Sequence, residues 1–282
     1  MQNLSATEII DSVGPLGMAA CDYLADAYNR HLNETFVVER KADKSMLTEA
    51  DTGVHKLLLD GLKQRFPNIP VYSEEGRLSD SHERDNWPWY WLIDPLDGTR
   101  EFVEKTGEFC INIALMNNGE PWLGFIFLPI EKQAYVGGVE QTPLFAQADL
   151  VWGAPALDEA DDTVIIVASS RNVEHPRIKK IAQILHQRNN VVQIKVVGSA
   201  LKYCALLGYK LAIYPRYGST GHWDTAAGQA LVEASGGLVL DMQGERLHYP
   251  AEKLINPSFI SMSAACVPDQ NLLVELFGMT LE

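Results

Sequence analysis

Trp91–Phe102, with the sequence WLIDPLDGTREF, places two aspartates, Asp94 and Asp97, directly after an apolar run. The run predicts a buried β-strand, Trp89–Ile93, and Pro95 favours an extended backbone at the residue that precedes it. We therefore expect Asp94 at the carboxyl edge of this strand, where α/β proteins tend to bind their ligands.

The rest of this stretch supplies groups that suit a cation and a phosphate together. The Leu96 carbonyl oxygen is a hard ligand, and Gly98 permits close approach of the backbone to a ligand. Thr99 is a candidate N-cap of a following helix, whose free N–H groups attract anions. A solvated turn is the plain alternative. An EF-hand is disfavoured, because the bidentate glutamate that should close its loop is missing.

Three other acidic residues also lie where predicted elements begin or end. Glu74 follows the strand Pro70–Ser73, Asp51 lies at the start of the helix Thr48–Arg65, and Asp224 opens a later helix. Each alone is compatible with a solvated acid or a helix cap. Together they favour one site, and hard oxygen ligands favour Mg²⁺ over Zn²⁺.

The composition limits the classes of partner. The 282 residues, 46% of them hydrophobic, are enough for one large or two smaller domains with a sizeable core. The formal net charge of −14 argues against nucleic acid as the main partner but not against a small anion beside a bound metal. The four cysteines form no CxxC pair, which predicts reduced, buried thiols. We expect neither a signal peptide nor an integral membrane segment.

Two patterns divide the chain. Residues 1–150 predict an α+β domain that carries the metal site, beginning with the amphipathic helix Ala6–Asn33 and continuing into a strand meander. The composition shift at 153–162 predicts a linker. Residues 151–282 alternate strands with helices, which predicts an α/β domain that completes the active site with Asp224.

This set of motifs resembles the inositol monophosphatase superfamily of magnesium-dependent, lithium-sensitive phosphatases, and within it the bacterial 3'(2'),5'-bisphosphate nucleotidases. His222 and Ala200 depart from the apolar residue and the serine that the family usually has there. The resemblance extends from about Lys41 to Ser261, and it is carried by Lys41–Ser45, Thr48, Asp51, Glu74–Glu75, Asp94–Phe102, Gly107–Phe109, Gly198–Ser199, Leu201–Lys202, Tyr214–Arg216, Trp223–Gly228 and Asn256–Pro257.

The resemblance implies a layered α/β/α/β/α sandwich of the inositol monophosphatase and fructose bisphosphatase type, with the site between two halves. It implies two or three Mg²⁺ ions. The first would be held by Glu74, Asp94 and the Leu96 carbonyl, and the second by Asp94, Asp97 and Asp224.

The resemblance also implies the remaining roles. Asp51 and Thr99 would position or deprotonate the attacking water, with Glu74 as a third catalytic residue. Lys202 and Arg216 are cations that a second phosphate of the substrate could use. The full expected substrate-binding set is Glu74, Leu96, Asp97, Gly98, Thr99, Ser199, Lys202, Arg216 and Asp224.

The activity expected from the resemblance is removal of the 3'-phosphate of adenosine 3',5'-bisphosphate, giving AMP, in cytoplasmic sulfur assimilation. The expected partner is this phosphorylated nucleotide and not a nucleic acid. A homodimer and a peripheral association with the inner membrane stay open. The alternatives are an inositol monophosphatase or broader sugar phosphatase, and a non-catalytic nucleotide-binding regulatory protein. A two-carboxylate glycosidase is disfavoured, because it gives no role to Gly98 and Thr99.

Overall fold

The structure is a computed structural model, and it describes residues 5–33, 38–40, 46–76, 84, 86–156, 163–168, 173–188, 190–267 and 269–278. The helices in these ranges are α1 (Ala6–Asn33), α2 (Glu49–Arg65), α3 (Thr99–Val103), α4 (Pro176–Gln187), α5 (Leu201–Leu207), α6 (Ala226–Ala234) and α7 (Gln270–Phe277). The strands are β1 (Val38–Arg40), β2 (Met46–Thr48), β3 (Val71–Ser73), β4 (Trp89–Asp97), β5 (Cys110–Asn117), β6 (Glu120–Leu128), β7 (Gln133–Gly138), β8 (Gln141–Gln147), β9 (Thr163–Ala168), β10 (Val191–Val196), β11 (Ala212–Arg216), β12 (Leu238–Asp241) and β13 (Phe259–Met262).

Two large sheets and three helical layers alternate, so the predicted five-layer sandwich is confirmed. One sheet has the order β3-β4-β5-β6-β7-β8 and the other β10-β9-β11-β13-β12. α1 and α2 pack on the outer face of the six-stranded sheet, and α5 and α6 fill the space between the sheets. α4 and α7 cover the outer face of the five-stranded sheet. Each helix thereby buries its apolar stripe against a sheet face.

β4 is buried on both faces, which explains its unbroken apolar sequence. Trp91 and Ile93 belong to the core under α1 and α2, whereas Tyr90 and Leu92 belong to the core under α5 and α6. Strand side chains alternate between faces, and a strand covered on both sides needs apolar residues at every position.

A bulge in β4 places both aspartates on one face. Asp94 pairs with Asn112 of β5 and Asp97 pairs with Cys110, so β4 carries one extra residue between these pairs. Asn112 and Cys110 lie two apart and share a face of β5, and the bulge therefore puts Asp94 and Asp97 on a common face as well. Pro95 lies within the bulge, where its lack of an N–H is tolerated.

Several boundaries differ from the sequence expectation. β4 continues to Asp97 instead of ending at Ile93, and α6 begins at Ala226 instead of Trp223. The expectation also omits β1, β2, β8, β13 and α7. β8 carries Pro143 among polar residues, and β13 and α7 are too short for a clear apolar period.

The division near residue 150 stays a prediction. The six-stranded sheet is built from strands before this point and the five-stranded sheet from strands after it. Of the predicted linker, residues 157–162 lie outside the described residues, and Gly153 still forms a bridge with Phe145 of β8.

Two other expectations concern the whole chain. All four cysteines are free and buried, as predicted. Among the helices of the described ranges, none combines the length and the apolar character that crossing a membrane requires.

We expect Gly124→Ala to destabilise the protein, because β6 and α6 meet at this residue without space for a side chain. A Cβ at position 124 would lie 2.3 Å from the Ala227 carbonyl oxygen. Overpacking of this kind costs about 1–3 kcal/mol, measured as the free energy of unfolding in urea. Gly153→Ala is the matched control, since a Cβ there has no atom within 4 Å. Equal urea midpoints for the two variants would contradict this close approach.

Candidate active site

The predicted site residues come together in one cavity of about 390 Å³ between the two sheets. Every residue of the predicted metal, catalytic and substrate-binding sets lines it except Asp51. The bulged end of β4 supplies Asp94 to Thr99, the turn after β3 supplies Glu74, and the segments around α5, β11 and α6 supply the rest. Residues far apart in sequence thus form one polar cleft.

Three carboxylates form the centre of this cavity. Glu74, Asp94 and Asp224 each offer an oxygen atom, and these atoms lie within 4.8 Å of one another. The backbone N–H of Leu96 donates to Asp94 Oδ1 at 3.0 Å, and that of Gly221 donates to Asp224 Oδ2 at 2.8 Å. Backbone hydrogen bonds therefore fix the directions of two of the three acids.

The charge of this cluster is not balanced by the protein alone. Burial raises the pKa of Asp94 well above its ordinary value, and the charges of Glu74, Asp97 and Asp224 raise it further. Burial, followed by the charges of Asp97 and Glu74, raises the pKa of Asp224 to about 8. Such shifts mean that the ionised acids lack a counter-charge. Clustered carboxylate oxygens with this deficit fit a hard divalent cation such as Mg²⁺.

Asp97 lies beside the cluster and links the two halves. Its Oδ2 accepts from the Ala200 backbone N–H at 2.5 Å and from Asn112 Nδ2 at 3.2 Å. It is outside the three-carboxylate group, and burial raises its pKa while the Lys202 ammonium opposes that rise. Its role as a metal ligand stays a prediction.

Thr99 is coupled to Asp51, as expected, although it is not the helix cap. Gly98 precedes α3 as its N-cap residue with φ +95°, and Thr99 is the first helical residue. The Thr99 hydroxyl lies 3.2 Å from Asp51 Oδ1 and 3.2 Å from the Leu96 carbonyl oxygen, and it can donate to either. The N-cap prediction was wrong because the glycine adopts the left-handed conformation that the turn requires.

Asp51 is held rigidly behind Thr99. It forms a capping box with Thr48, whose backbone N–H and hydroxyl both donate to Asp51 Oδ2, at 2.8 Å and 2.6 Å. Only 1% of Asp51 is exposed, and it does not line the cavity. The hydrogen bond from Thr99 joins Asp51 to a residue that lines the cavity.

Two cations line the same cavity as the carboxylates. Lys202 is only 4% exposed, and its Nζ donates to the Ser199 carbonyl oxygen at 2.5 Å. Burial lowers the pKa of Lys202 to about 8, although the Asp97 carboxylate opposes this shift. Arg216 donates from Nη2 to the Ser219 carbonyl oxygen at 3.0 Å. The lysine is thus not solvated on its helix, and both cations face the cavity that holds the acids.

His222 packs inside the protein and away from the cavity lining. It is 1% exposed and is not among the residues that line the cavity. Its ring meets the Tyr249 ring edge-on at 5.1 Å between centroids. Burial, and then the charge of Arg84, lower the pKa of His222 to about 3, so the ring is neutral at pH 7.

Sequence reasoning missed several groups near the site. His55 Nδ1 lies 2.8 Å from the hydroxyl of Ser73, the residue before Glu74. His55 is one helical turn after Asp51, a spacing that could have identified it. His55 does not line the cavity; the missed residues that do line it are Arg100, Glu101, Tyr203, Ser219, Thr220 and Thr225.

Known proteins resemble this chain in sequence and in fold. The profile of the inositol monophosphatase family matches residues 10–271. The 3'(2'),5'-bisphosphate nucleotidase CysQ of Escherichia coli K12 is 36% identical over 252 residues, which cover 89% of this chain and 98% of that protein. CysQ of Salmonella typhimurium is 37% identical over 78% of this chain and 86% of its own length. The crystal structure of CysQ from Bacteroides thetaiotaomicron, 30% identical, superposes with a TM-score of 0.76 over 93% of this chain and 99% of that one.

We expect the metal-free protein to lose stability as the pH rises, because folded Asp224 keeps a proton that the unfolded chain releases. Its folded pKa of about 8 lies above the ordinary 3.8. The folded state therefore binds more protons between these values, and the free energy of unfolding falls as pH rises through them. Urea unfolding in EDTA between about pH 5 and pH 8 measures this decline.

Asp224→Asn removes the proton in both states and should flatten this pH dependence relative to wild type. Millimolar Mg²⁺ should also reduce the decline, because the cation stabilises the ionised carboxylates. Identical pH slopes for wild type and Asp224→Asn in EDTA would contradict the assignment.

Proposed function

The chain belongs to the inositol monophosphatase family, and on that premise we propose that it is a Mg²⁺-dependent 3'(2'),5'-bisphosphate nucleotidase. The reaction is removal of the 3'-phosphate of adenosine 3',5'-bisphosphate, which gives AMP and phosphate. The observation that carries the proposal is one cavity that holds three carboxylates and, beside them, the cations Lys202 and Arg216. Relatives named for this activity share about a third of their residues with the chain.

The carboxylate side of the cavity would hold the phosphate that is removed. Glu74, Asp94 and the Leu96 carbonyl would hold one Mg²⁺, and Asp94, Asp97 and Asp224 a second. Bound Mg²⁺ would supply the positive charge that stabilises the phosphoryl group and lowers the pKa of the attacking water. Asp94 is the acid common to both sets, and its neighbours Glu74 and Asp224 belong to opposite halves of the molecule.

Thr99 and Asp51 would handle the proton of the attacking water. When the Thr99 hydroxyl donates to Asp51, its lone pairs are available to accept from a water in the cavity. Asp51 keeps its orientation through the two hydrogen bonds from Thr48. The pair can therefore position the water and accept its proton without large movement.

The cationic side of the cavity would choose the leaving group. A carboxylate site with metals suits many phosphate monoesters, whereas a nucleoside bisphosphate brings a second phosphate that needs its own cation. Lys202 and Arg216 offer that charge within the same cavity. Ser219 and Thr220 also line the cavity and offer hydroxyls to a polyol, so inositol 1-phosphate is the competing substrate to compare.

We expect adenosine 3',5'-bisphosphate to exceed inositol 1-phosphate in kcat/KM by at least about tenfold, or about 1.4 kcal/mol, which one charge-assisted contact can provide. Lys202→Ala should narrow this ratio, mainly by raising KM for the bisphosphate. Lys132→Ala removes an exposed cation paired with Asp22 and serves as the control. Equal kcat/KM values of the wild-type enzyme on both substrates would favour a general monophosphatase.

Asp94→Asn should abolish turnover of both substrates in the same assay, because Asp94 is the acid common to both expected metal sets.

We expect Thr99→Ala to lower kcat by about a hundredfold, the range for loss of a proton-transfer group, with little change in Mg²⁺ affinity. Thr99→Ser keeps the hydroxyl and should retain most activity. Thr106→Ala removes a nearby exposed hydroxyl that bonds the Glu101 carbonyl and is the control. Calorimetric Mg²⁺ titrations accompany the kinetics. Parallel losses of kcat and Mg²⁺ affinity would instead assign Thr99 to holding the local backbone.

A further inference from the structure

Two carboxylates of the first half hold the 198–200 loop, formed by Gly198, Ser199 and Ala200 between β10 and α5. The Gly198 backbone N–H donates to Glu108 Oε2 at 3.0 Å, and the Ala200 backbone N–H donates to Asp97 Oδ2 at 2.5 Å. The acids come from the segment before β5 and the end of β4. The loop is therefore fixed at alternate amides by a different part of the molecule.

The backbone conformation of this loop is unfavourable for Ser199, its middle residue. Ser199 has φ +41°, in the left-handed region that non-glycine residues rarely adopt. Such a conformation costs about 1 kcal/mol or more and persists only where the surroundings enforce it. Contacts around the loop are close: a Cβ at Gly198 would lie 2.8 Å from Glu108 Cβ, and one at Gly98 would lie 3.1 Å from Ser199 Cβ.

This conformation sets the position of the buried ammonium group. The Ser199 carbonyl oxygen accepts from Lys202 Nζ, and Lys202 is almost fully buried. The hydroxyl of Ser199 accepts from the Leu201 backbone N–H at 3.4 Å. If the loop relaxed, the carbonyl would turn and the ammonium would lose the acceptor that orients it toward the cavity.

We propose that Glu108 is a positioning residue for substrate choice, which holds the 198–200 loop so that Lys202 meets the second phosphate of the substrate. The inference rests on the proposed function. Glu108 does not line the cavity and does not belong to the three-carboxylate cluster, so it acts through the 198–200 loop. Asp97 also holds the 198–200 loop, through the Ala200 N–H, but it belongs to the expected metal site. Glu108 is therefore the member that can be changed without removing a metal-binding acid.

The direction in which substrate affinity changes on substitution of Glu108 separates a positioning role from a simple effect of its charge. Removing a negative charge near an anionic substrate should by itself strengthen binding. Loss of the hydrogen bond between Glu108 and the 198–200 loop should weaken substrate binding. Glu108→Ala removes both the charge and the acceptor, whereas Glu108→Gln removes the charge and keeps a carbonyl oxygen for the Gly198 N–H.

The test compares adenosine 3',5'-bisphosphate with adenosine 3'-monophosphate, which lacks the second phosphate. Glu108→Ala should raise KM for the bisphosphate about tenfold, the equivalent of one charge-assisted hydrogen bond. It should leave kcat and the monophosphate KM nearly unchanged. Glu108→Gln should keep most of the wild-type preference. The control is Glu131→Ala, which removes an exposed acid from the turn after β6.

Calorimetric Mg²⁺ affinity should be unchanged in Glu108→Ala, which a general loss of structure would not allow. If this variant fails to fold, Glu108→Asp is measured instead, since its side chain is one methylene shorter and should weaken the hydrogen bond to the Gly198 N–H. An unchanged or lower bisphosphate KM, or equal losses on both substrates, would overturn the inference alone. A wild-type enzyme without preference for the bisphosphate would overturn the proposed function, and this inference with it.

Discussion

The site depends on the single extra residue in β4 between Asp94 and Asp97. Residues three apart on a regular strand point to opposite faces, so without the bulge one carboxylate would face α1 and α2. With it, both face the second half of the molecule. Pro95 suits this position because a bulge leaves a backbone group without a ladder partner. The position of Asp94 in the carboxylate cluster and the contact of Asp97 with the 198–200 loop both follow from this bulge.

Electrostatics gives the cavity its chemical character. Two acids of the cluster, Asp94 and Asp224, have pKa values raised by burial and by the neighbouring carboxylates, and they lie with Glu74 at the junction of the two halves. In the absence of a cation this arrangement opposes folding at neutral pH, because one or more carboxylates must stay protonated. Glu74 and Asp94 belong to the first half and Asp224 to the second, so a bound cation would also hold the halves together.

Under the proposed function, the carboxylates and the cations of the cavity would have different roles in the hydrolysis of a phosphate ester. The acids provide a setting for phosphoryl transfer, which depends on positioning and charge more than on covalent help from the protein. Under the proposed function, Lys202 and Arg216 would distinguish one phosphate ester from another. Asp97 connects these cations to the acids, because its Oδ2 accepts from the Ala200 N–H of the loop whose Ser199 carbonyl oxygen binds Lys202.

Residue patterns alone predicted most of the elements and the kind of chemistry. Apolar spacing placed α1 and α2 within a residue of their observed bounds, and acids at the ends of elements predicted a carboxylate cluster, whose metal-binding role stays a prediction. How these parts combine depends on the fold, which sets the bulge in β4, the left-handed turn at Gly98 and the burial of Lys202. Periodicity records which face of an element is apolar, which is a local property. Distances between segments depend on how sheets pair and close, and a pattern along one chain does not encode them directly.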